Sequence, residues 1–466
     1  MLKGVKKIHF IGIGGIGMSG IAWLCLKKGY RISGSDIKSS NITERLIGEG
    51  AEIEIGHRPE NIDDADIVVY SSAILSNNPE LTEAKKKKIP MQKRGEFLAY
   101  LAKSKRCIAV SGAHGKTTTS SMVSTMLKEA NLTPSGVVGA LVPYLNGNAF
   151  IGDGEFFVVE ADESDGSFLY LKPTYAVVTN IDLEHLDYYE GIEQIQDAYV
   201  KFVNSVTTRG AAVCWGDGPY IRKILKRFKR RLITYGFSKG NTLYASSIKL
   251  GDMHSEFNCA YQKKDIGPFR IRVPGEHNIL NAMAAIAVGL DIGLEPDTIR
   301  SAIFQFKGAQ RRFQVKAEIN DMLIIDDYAH HPTEIKATLK AARNIGRKRL
   351  VSVFQPHRYT RTKFLKKEFA RAFGDTDFLI LTDIYAANEK PIYGVTSMNI
   401  YSEVIKLKKI NANYIIKDRL LDYLAGFLRP GDIVLFLGAG DIGRLSGEFI
   451  LRLKAKQERI VARAGV

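Results

Sequence analysis

Between Cys107 and Thr119 the chain reads CIAVSGAHGKTTT, and no other stretch narrows its fold as much. A short apolar run, Ile108-Ala109-Val110, feeds Ser111-Gly112-Ala113-His114-Gly115-Lys116-Thr117, and helix-compatible sequence continues to about Leu132. Strand, glycine loop, Lys-Thr and helix make a phosphate cradle. Glycines let backbone N–H groups crowd an anion, and the helix N-terminus adds positive potential. The lysine reaches the outer phosphates and the threonine hydroxyl can ligate magnesium. A standard P-loop has its first glycine five residues before the second. Here Val110 holds that position, and Gly112 and Gly115 are three apart.

The length, 466 residues, allows roughly two to four domains, each with its own core. Hydrophobic content of 45% and charged content of 25% fit a soluble globular protein. No apolar run approaches the roughly 18 residues of a membrane span. The start, MLKGVKKIHFIGIGGIGMSGIA, has lysines before apolar residues, but its glycine periodicity and lack of a cleavage site argue against a signal peptide. Cys25, Cys107, Cys214 and Cys259 have no metal-like spacing and read as reduced cytoplasmic thiols. The net charge of +16 lies partly in clusters such as Lys85–Lys88, Arg222–Arg231 and Arg347–Arg349. No nucleic-acid-reading motif accompanies them, so solvated basic faces and a polyanionic small-molecule substrate explain the charge.

The chain opens with a strand pattern, Lys7–Ile11, followed by Gly12-Ile13-Gly14-Gly15-Ile16-Gly17, a GxGxxG run, and a helix at Ser19–Lys28. Asp36 ends the next strand-like run, where a ribose-binding acid would sit. The motif reports a diphosphate and a ribose, not a nicotinamide. Further strands at Ala51–Ile55 and Ile67–Tyr70 predict a parallel, doubly wound sheet.

After the phosphate loop, a buried-strand pattern ending at Val159 delivers Glu160, Asp162, Glu163 and Asp165 to its C-terminal end, which is how P-loop enzymes place a magnesium ligand. The strand Tyr175–Asp182 precedes Leu183-Glu184-His185-Leu186-Asp187, so His185 could reach a metal or a phosphate. His277, Asn278 and Asn281 sit at the start of an alanine-rich helix, a polar group that packing alone does not need. Beyond Gly308–Phe313, a strand at Met322–Ile325 ends in Asp326-Asp327-Tyr328-Ala329-His330-His331. A second, Leu350–Phe354, ends in Gln355–Arg361, where Arg358 and Arg361 are spaced to grip one anion. A third spans Asp377–Thr382, and a fourth, Ile433–Leu437, runs into another GxGxxG, Gly438–Gly443.

IHFIGIGGIGMSGIA, SGAHGKTTT, EADESD, TNIDLEHLDYY, PGEHNILNA, GAQRRFQ, DDYAHHPTE and FQPHRYTRT together resemble the Mur ligases of bacterial cell-wall synthesis, in order and over essentially the whole chain. The glycine spacing of the phosphate loop is part of that likeness. The resemblance implies an α/β protein of three domains: an N-terminal Rossmann-like domain for the UDP-sugar (1–104), a central P-loop ATPase-like parallel sheet for ATP (105–312), and a C-terminal Rossmann-like domain for the amino acid (313–466). It implies ATP-dependent joining of L-alanine to the lactyl carboxylate of UDP-N-acetylmuramate through an acyl phosphate, with release of ADP and phosphate. Mg2+, or Mn2+ in its place, would assist.

By motif match, Lys116, Glu160 and His185 would be catalytic, with Thr117, Glu160 and His185 holding metal and Glu163 competing with Glu160. ATP would meet Gly112, Ala113, His114, Gly115, Lys116, Thr117 and Thr118, with His277, Asn278, Asn281 and Arg312. Gly12, Gly14, Gly15 and Gly17 would cradle the uridine diphosphate, near Asp36, His57, Ser71 and Ser72. Asp326, Tyr328, His330, Arg358 and Arg361 would line the amino-acid site. Lys201 is the candidate for the carbamylated lysine of some sister ligases. The expected partners are small molecules, with no nucleic acid and no membrane insertion, in a cytoplasmic monomer or homodimer. A ligase recycling a murein tripeptide onto the same sugar nucleotide is the near alternative. A nicotinamide-dependent dehydrogenase and a nucleic-acid-stimulated ATPase are alternatives of other classes.

Overall fold

The computed structural model describes residues 2–464 except 186, 187, 347, 348 and 388. Leu186 and Asp187 of the TNIDLEHLDYY run, and Arg347 and Lys348 of one basic cluster, therefore lie outside the described residues. The chain forms two compact units, one of Met1–Ile248, Phe257–Arg270 and Ile279–Lys307, the other of Lys249–Glu256, Ile271–Asn278 and Gly308–Val466. Among the described residues no helix is long and apolar enough to cross a membrane.

The first unit begins with a five-stranded parallel sheet in the order Glu52–Ile55, Arg31–Asp36, Lys7–Ile11, Ile67–Tyr70, Met91–Lys93. This is the Rossmann order, with the crevice beyond the C-terminal end of its middle strand. Lys7–Ile11 is buried along its whole length, and its two polar members are paired: Lys7 with Glu52 and Asp64, and His9 with Ser33.

A ten-stranded sheet follows in the same unit. Its phosphate-loop strand, Arg106–Ser111, lies between Tyr175–Val178 and Phe156–Glu160, all parallel. The register pairs Val110 with Glu160 and Ser111 with Val178. Three strands thus end side by side, and the loops after them converge. The sheet is mixed rather than wholly parallel. Ser135–Val142 runs back as Gly147–Phe150 through a turn in which Asn146 and Gly147 both take positive φ, too short a link for a parallel crossover.

The helix Lys116–Glu129 is buried from Thr117 to Leu127 although it is rich in serine and threonine. Two of its serine hydroxyls return to its own carbonyls: Ser121 Oγ donates to Thr117 O (2.6 Å) and Ser124 Oγ to Ser120 O (2.7 Å).

The second unit holds a six-stranded sheet, ordered Gln314–Ile319, Met322–Asp327, Asp432–Leu437, Arg349–Phe354, Phe378–Leu381, Asn411–Tyr414. All neighbours are parallel except the first two, a hairpin turning on Asn320 and Asp321, both at positive φ. Apolar clusters cover both faces, one around Phe354, Phe369 and Phe373, the other around Phe436 and Phe449.

Candidate active site

The phosphate loop owes its shape to residues far from it in sequence. Gly112 sits at φ +139° and Gly115 at +82°. A Cβ on Gly112 would overlap Thr179 Oγ1, and one on Gly115 would overlap Asn281 Oδ1. That is the physical reason for glycines three apart. Thr179 Oγ1 (2.6 Å) and Asn180 Nδ2 (2.8 Å) both donate to His114 O, and His114 N donates to Asn180 Oδ1 (2.8 Å). Asn281 Oδ1 accepts from Thr119 Oγ1 at 3.2 Å. The helix begins at Lys116 behind Gly115 with no side-chain cap, so its N-terminal dipole faces the loop.

Lys116 Nζ donates to Gly112 O (2.6 Å) and Glu163 Oε1 (2.8 Å). His185 Nε2 lies 3.3 Å from the same carboxylate oxygen. Tyr189 OH donates to Glu163 O at 2.7 Å, fixing the backbone beneath it. Burial would lower the Lys116 pKa, but Glu163, Asp162 and Glu160 overcome it and raise it. Burial would likewise raise Glu163, yet Lys116 and His185 hold it down. His185 is raised, because Glu163 outweighs the burial that would lower it. Glu160 points elsewhere: its Oε2 accepts from Gly139 N at 2.9 Å. Of the two competing acids, Glu163 is the one in contact with Lys116 and His185. Thr117 is buried at the first turn. Lys201 is exposed on the helix Ile192–Asn204.

In the first sheet, Gly12 takes φ +79° and its N–H donates to Ser35 O at 2.8 Å. Asp36 Oδ2 accepts from Gly14 N at 2.9 Å, and a Cβ on Gly14 would crowd that oxygen. The acid expected to meet a ribose braces its own glycine loop. Gly15 precedes the helix Ile16–Lys27 without a side-chain cap. His57 Nδ1 lies 3.0 Å from Ser35 Oγ and 3.1 Å from Glu80 Oε2, in a network around the fully buried Glu80. Ser71 Oγ accepts from Ala73 N, and Ser72 is exposed.

In the second unit, Asp326 is the penultimate residue of the strand Met322–Asp327 and is 1% exposed. Arg311 Nε donates to its Oδ2 (3.2 Å), and Arg311 Nη2 donates to Gly438 O (2.6 Å). Asp326 Oδ1 is buried with no hydrogen-bond partner. Burial raises the Asp326 pKa, and Arg311 offsets only part of that. Tyr328 lies within 5.2 Å of the Arg311 guanidinium and 5.1 Å of that of Arg312. His330 packs edge-on against Tyr328 and against His357, which stacks on Tyr385. Arg361 Nη1 is 3.3 Å from His357 Nδ1. Arg358 takes φ +71° and its Nη1 lies 3.9 Å from Glu389 Oε1. Asn278 Nδ2 donates to Pro274 O (2.7 Å), and His277 feels Arg312. Sequence reading passed over Thr179, Asn180, Arg311 and His357, which lie inside or beside the motifs it used.

Burial, then Arg361, Arg358 and Arg311, push His357 down to about 3; burial and Arg312 push His277 down to about 4. An imidazole lowered in the fold is neutral there and takes its proton on unfolding. Its contribution to stability is whole above about 6.5 and shrinks as pH falls towards the folded value. The gap in melting temperature between wild type and His357→Asn should therefore narrow from pH 7 to pH 4.5. A constant gap across thermal melts at those two values would refute this.

Family models cover most of the chain: the Mur ligase family catalytic domain matches residues 7–106, the Mur ligase middle domain 110–289, and the Mur ligase glutamate ligase domain 311–440. The chain belongs to the Mur ligase family.

It is 49% identical to the UDP-N-acetylmuramate–L-alanine ligase of Trichlorobacter lovleyi, over 97% of this chain and 100% of that protein. The protein of the same name from Geobacter sp. strain M21 is 47% identical, over 97% and 99%. The solved structure of UDP-N-acetylmuramate-alanine ligase from Thermotoga maritima superimposes with a TM-score of 0.83 at 29% identity, covering 97% of this chain and 99% of that one. The three-domain α/β architecture is that of this Mur ligase neighbour. Neither the family nor the use Asp36 is put to supports a nicotinamide-dependent dehydrogenase.

Proposed function

We propose that the chain is the ATP-dependent, ADP-forming ligase that joins L-alanine to the lactyl carboxylate of UDP-N-acetylmuramate in peptidoglycan synthesis. One observation carries the reading: a phosphate loop whose lysine is charged and aimed among carboxylates, in a chain 49% identical to such a ligase along its length. A carboxylate is a poor acceptor for an amine because oxide would have to leave. Transfer of the γ-phosphoryl group makes an acyl phosphate; the alanine amine then adds to its carbonyl carbon, and phosphate leaves as the amide forms.

In that scheme Lys116 neutralises the β- and γ-phosphates, which lie on the Gly112–Gly115 loop at the uncapped start of the helix that carries Thr118. Thr117, His185 and Glu163 would supply the hydroxyl, imidazole and carboxylate for Mg2+ or Mn2+, and Glu160, now accepting from Gly139 N, would join them only by turning away from that bond. A bound ion would neutralise phosphate charge. Asn281 braces the loop, and His277, Asn278 and Arg312 flank the nucleotide. Gly12, Gly14, Gly15 and Gly17 hold the uridine diphosphate, while Asp36 and His57 keep that loop in place and Ser71 and Ser72 border it. Arg358 and Arg361 grip the amino-acid carboxylate, with Tyr328 and His330 as walls, and Asp326 Oδ1 is an acceptor for the ammonium. The proposed domain limits of 1–104, 105–312 and 313–466 rest on each span holding one of the three sheets. Substrates of this kind belong to the cytoplasm.

Arg361→Lys should raise KM for L-alanine about 10–100-fold while KM for ATP stays unchanged, because an ammonium cannot copy a two-pronged contact. Steady-state kinetics check both constants. The reading as a whole is tested by phosphate release from ATP plus UDP-N-acetylmuramate, screened across twenty amino acids and the murein tripeptide. Release with L-alanine supports it. Release with the tripeptide alone would favour recycling, for which the structural neighbour murein peptide ligase from Psychrobacter arcticus, with a TM-score of 0.74 at 21% identity over 96% of this chain and 98% of that one, offers only a shared fold.

A further inference from the structure

Arg94 is the first residue of the helix Arg94–Ala102, which follows the last strand of the first sheet. Its guanidinium serves two places in the same unit. Nη2 donates to Asp162 Oδ2 at 2.9 Å, on the loop that follows the strand ending at Glu160. Nη1 lies against the first turn of the helix Ile16–Lys27, close enough that a Cβ on Gly17 would come within 3.2 Å of it. The side chain is 17% exposed, so the cation is sheltered but open on one side. Its seat is rigid: Gly95 packs on Ser167, whose Oγ donates to Asp162 O (3.2 Å), and Asn148 Nδ2 donates to Ile16 O (2.6 Å).

The Asp162 side chain is 34% exposed. The carboxylate has a second cation in Lys116 and a backbone donor in Ser164 N, so it keeps support if Arg94 turns away.

The turn at Gly15–Gly17 is where a diphosphate meets an uncapped helix N-terminus. Beside it stands a forked cation whose donors match a phosphate as well as a carboxylate. We infer that Arg94 is a diphosphate-binding residue, held by Asp162 while the sugar-nucleotide site is empty and exchanging that carboxylate for the diphosphate when the nucleotide enters. This rests on the ligase reading and adds to it a residue outside every motif that supports that reading.

The test measures binding of UDP, which has the diphosphate but no lactyl carboxylate, by calorimetry on the full chain. Arg94→Ala should weaken UDP by about tenfold or more, the scale of a charge-assisted contact, and leave ATP affinity unchanged. Arg94→Lys should recover part of the loss. Asp162→Asn, which frees Arg94, should bind UDP as tightly as wild type or tighter. UDP affinity unchanged in Arg94→Ala would overturn the proposal, even if UDP-N-acetylmuramate were weakened, since that would assign Arg94 to the carboxylate. Equal weakening by Asp162→Asn would also overturn it, reducing the pair to a staple between segments. A wild-type chain that ligates L-alanine alongside such results would leave the ligase reading standing. A wild-type chain that binds no UDP would overturn both.

Discussion

Lys116→Ala should abolish amino-acid-dependent phosphate release while UDP still binds. The lysine supplies charge where the transferred phosphoryl group gathers it, and removing one such contact costs roughly 10^2–10^3-fold or more. The Gly12–Gly17 loop belongs to a different sheet and makes its own hydrogen bonds, so UDP affinity stays near the wild-type value. The variant also loses stability. Glu163, whose side chain is 3% exposed, would be left without its ammonium beside Asp162 and Glu160, an exposure of unpaired charge worth about 3–5 kcal/mol. Lys116→Met with Glu163→Gln separates the two effects: stability returns and activity does not. Calorimetric unfolding and a phosphate-release assay on the three proteins decide it. Activity in the double variant would remove Lys116 from the chemistry.

Gly112→Ala is the second large expected effect, and it works through the backbone. The methyl group would overlap Thr179 Oγ1 and meet Asn180 N at 3.0 Å, while φ of +139° is one that side chains rarely adopt. Relief requires the Ser111–Lys116 segment to move, and with it the His114 carbonyl that Thr179 and Asn180 hold. A shift of an ångström at the phosphates costs about 10^2-fold in rate, and strain of this kind costs roughly 1–3 kcal/mol in stability. Thr179→Ala in the same chain removes the side-chain overlap but neither the φ strain nor the Asn180 contact. It should recover part of the stability and little of the rate. Full recovery of both would show that the overlap alone matters.

The sequence exposed the fold well because each parallel strand carries its own announcement: an apolar run, then a loop of polar or glycine residues, then a helix. Lys7–Ile11, Arg106–Ser111 and Arg349–Phe354 all follow this grammar. Gln314–Ile319 does not, since it is an edge strand of alternating polarity in a hairpin, and reading from Met322 passed it by. Within the site, residue type was legible and partnership was not. The three-residue glycine spacing stood out as an anomaly, yet its cause lies in Thr179 and Asn281, whose side chains occupy the space a Cβ would need. Asp36 ends the right strand for a ribose acid but spends its carboxylate on Gly14. Glu160 and Glu163 follow the same strand, and only the path of the backbone, anchored by Tyr189, brings Glu163 to Lys116. Arg94 has no motif at all.

The bond between Thr119 and Asn281 spans 162 positions. On a ribosome adding about 5–20 residues per second, the loop sequence emerges roughly 10–30 s before the residue that braces its far side. For that interval the nascent chain carries a nucleotide-binding signature without the architecture to use it. Competence to hold ATP therefore waits for Asn281, about three-fifths of the way along the 466 residues, and does not come with the segment that encodes the loop.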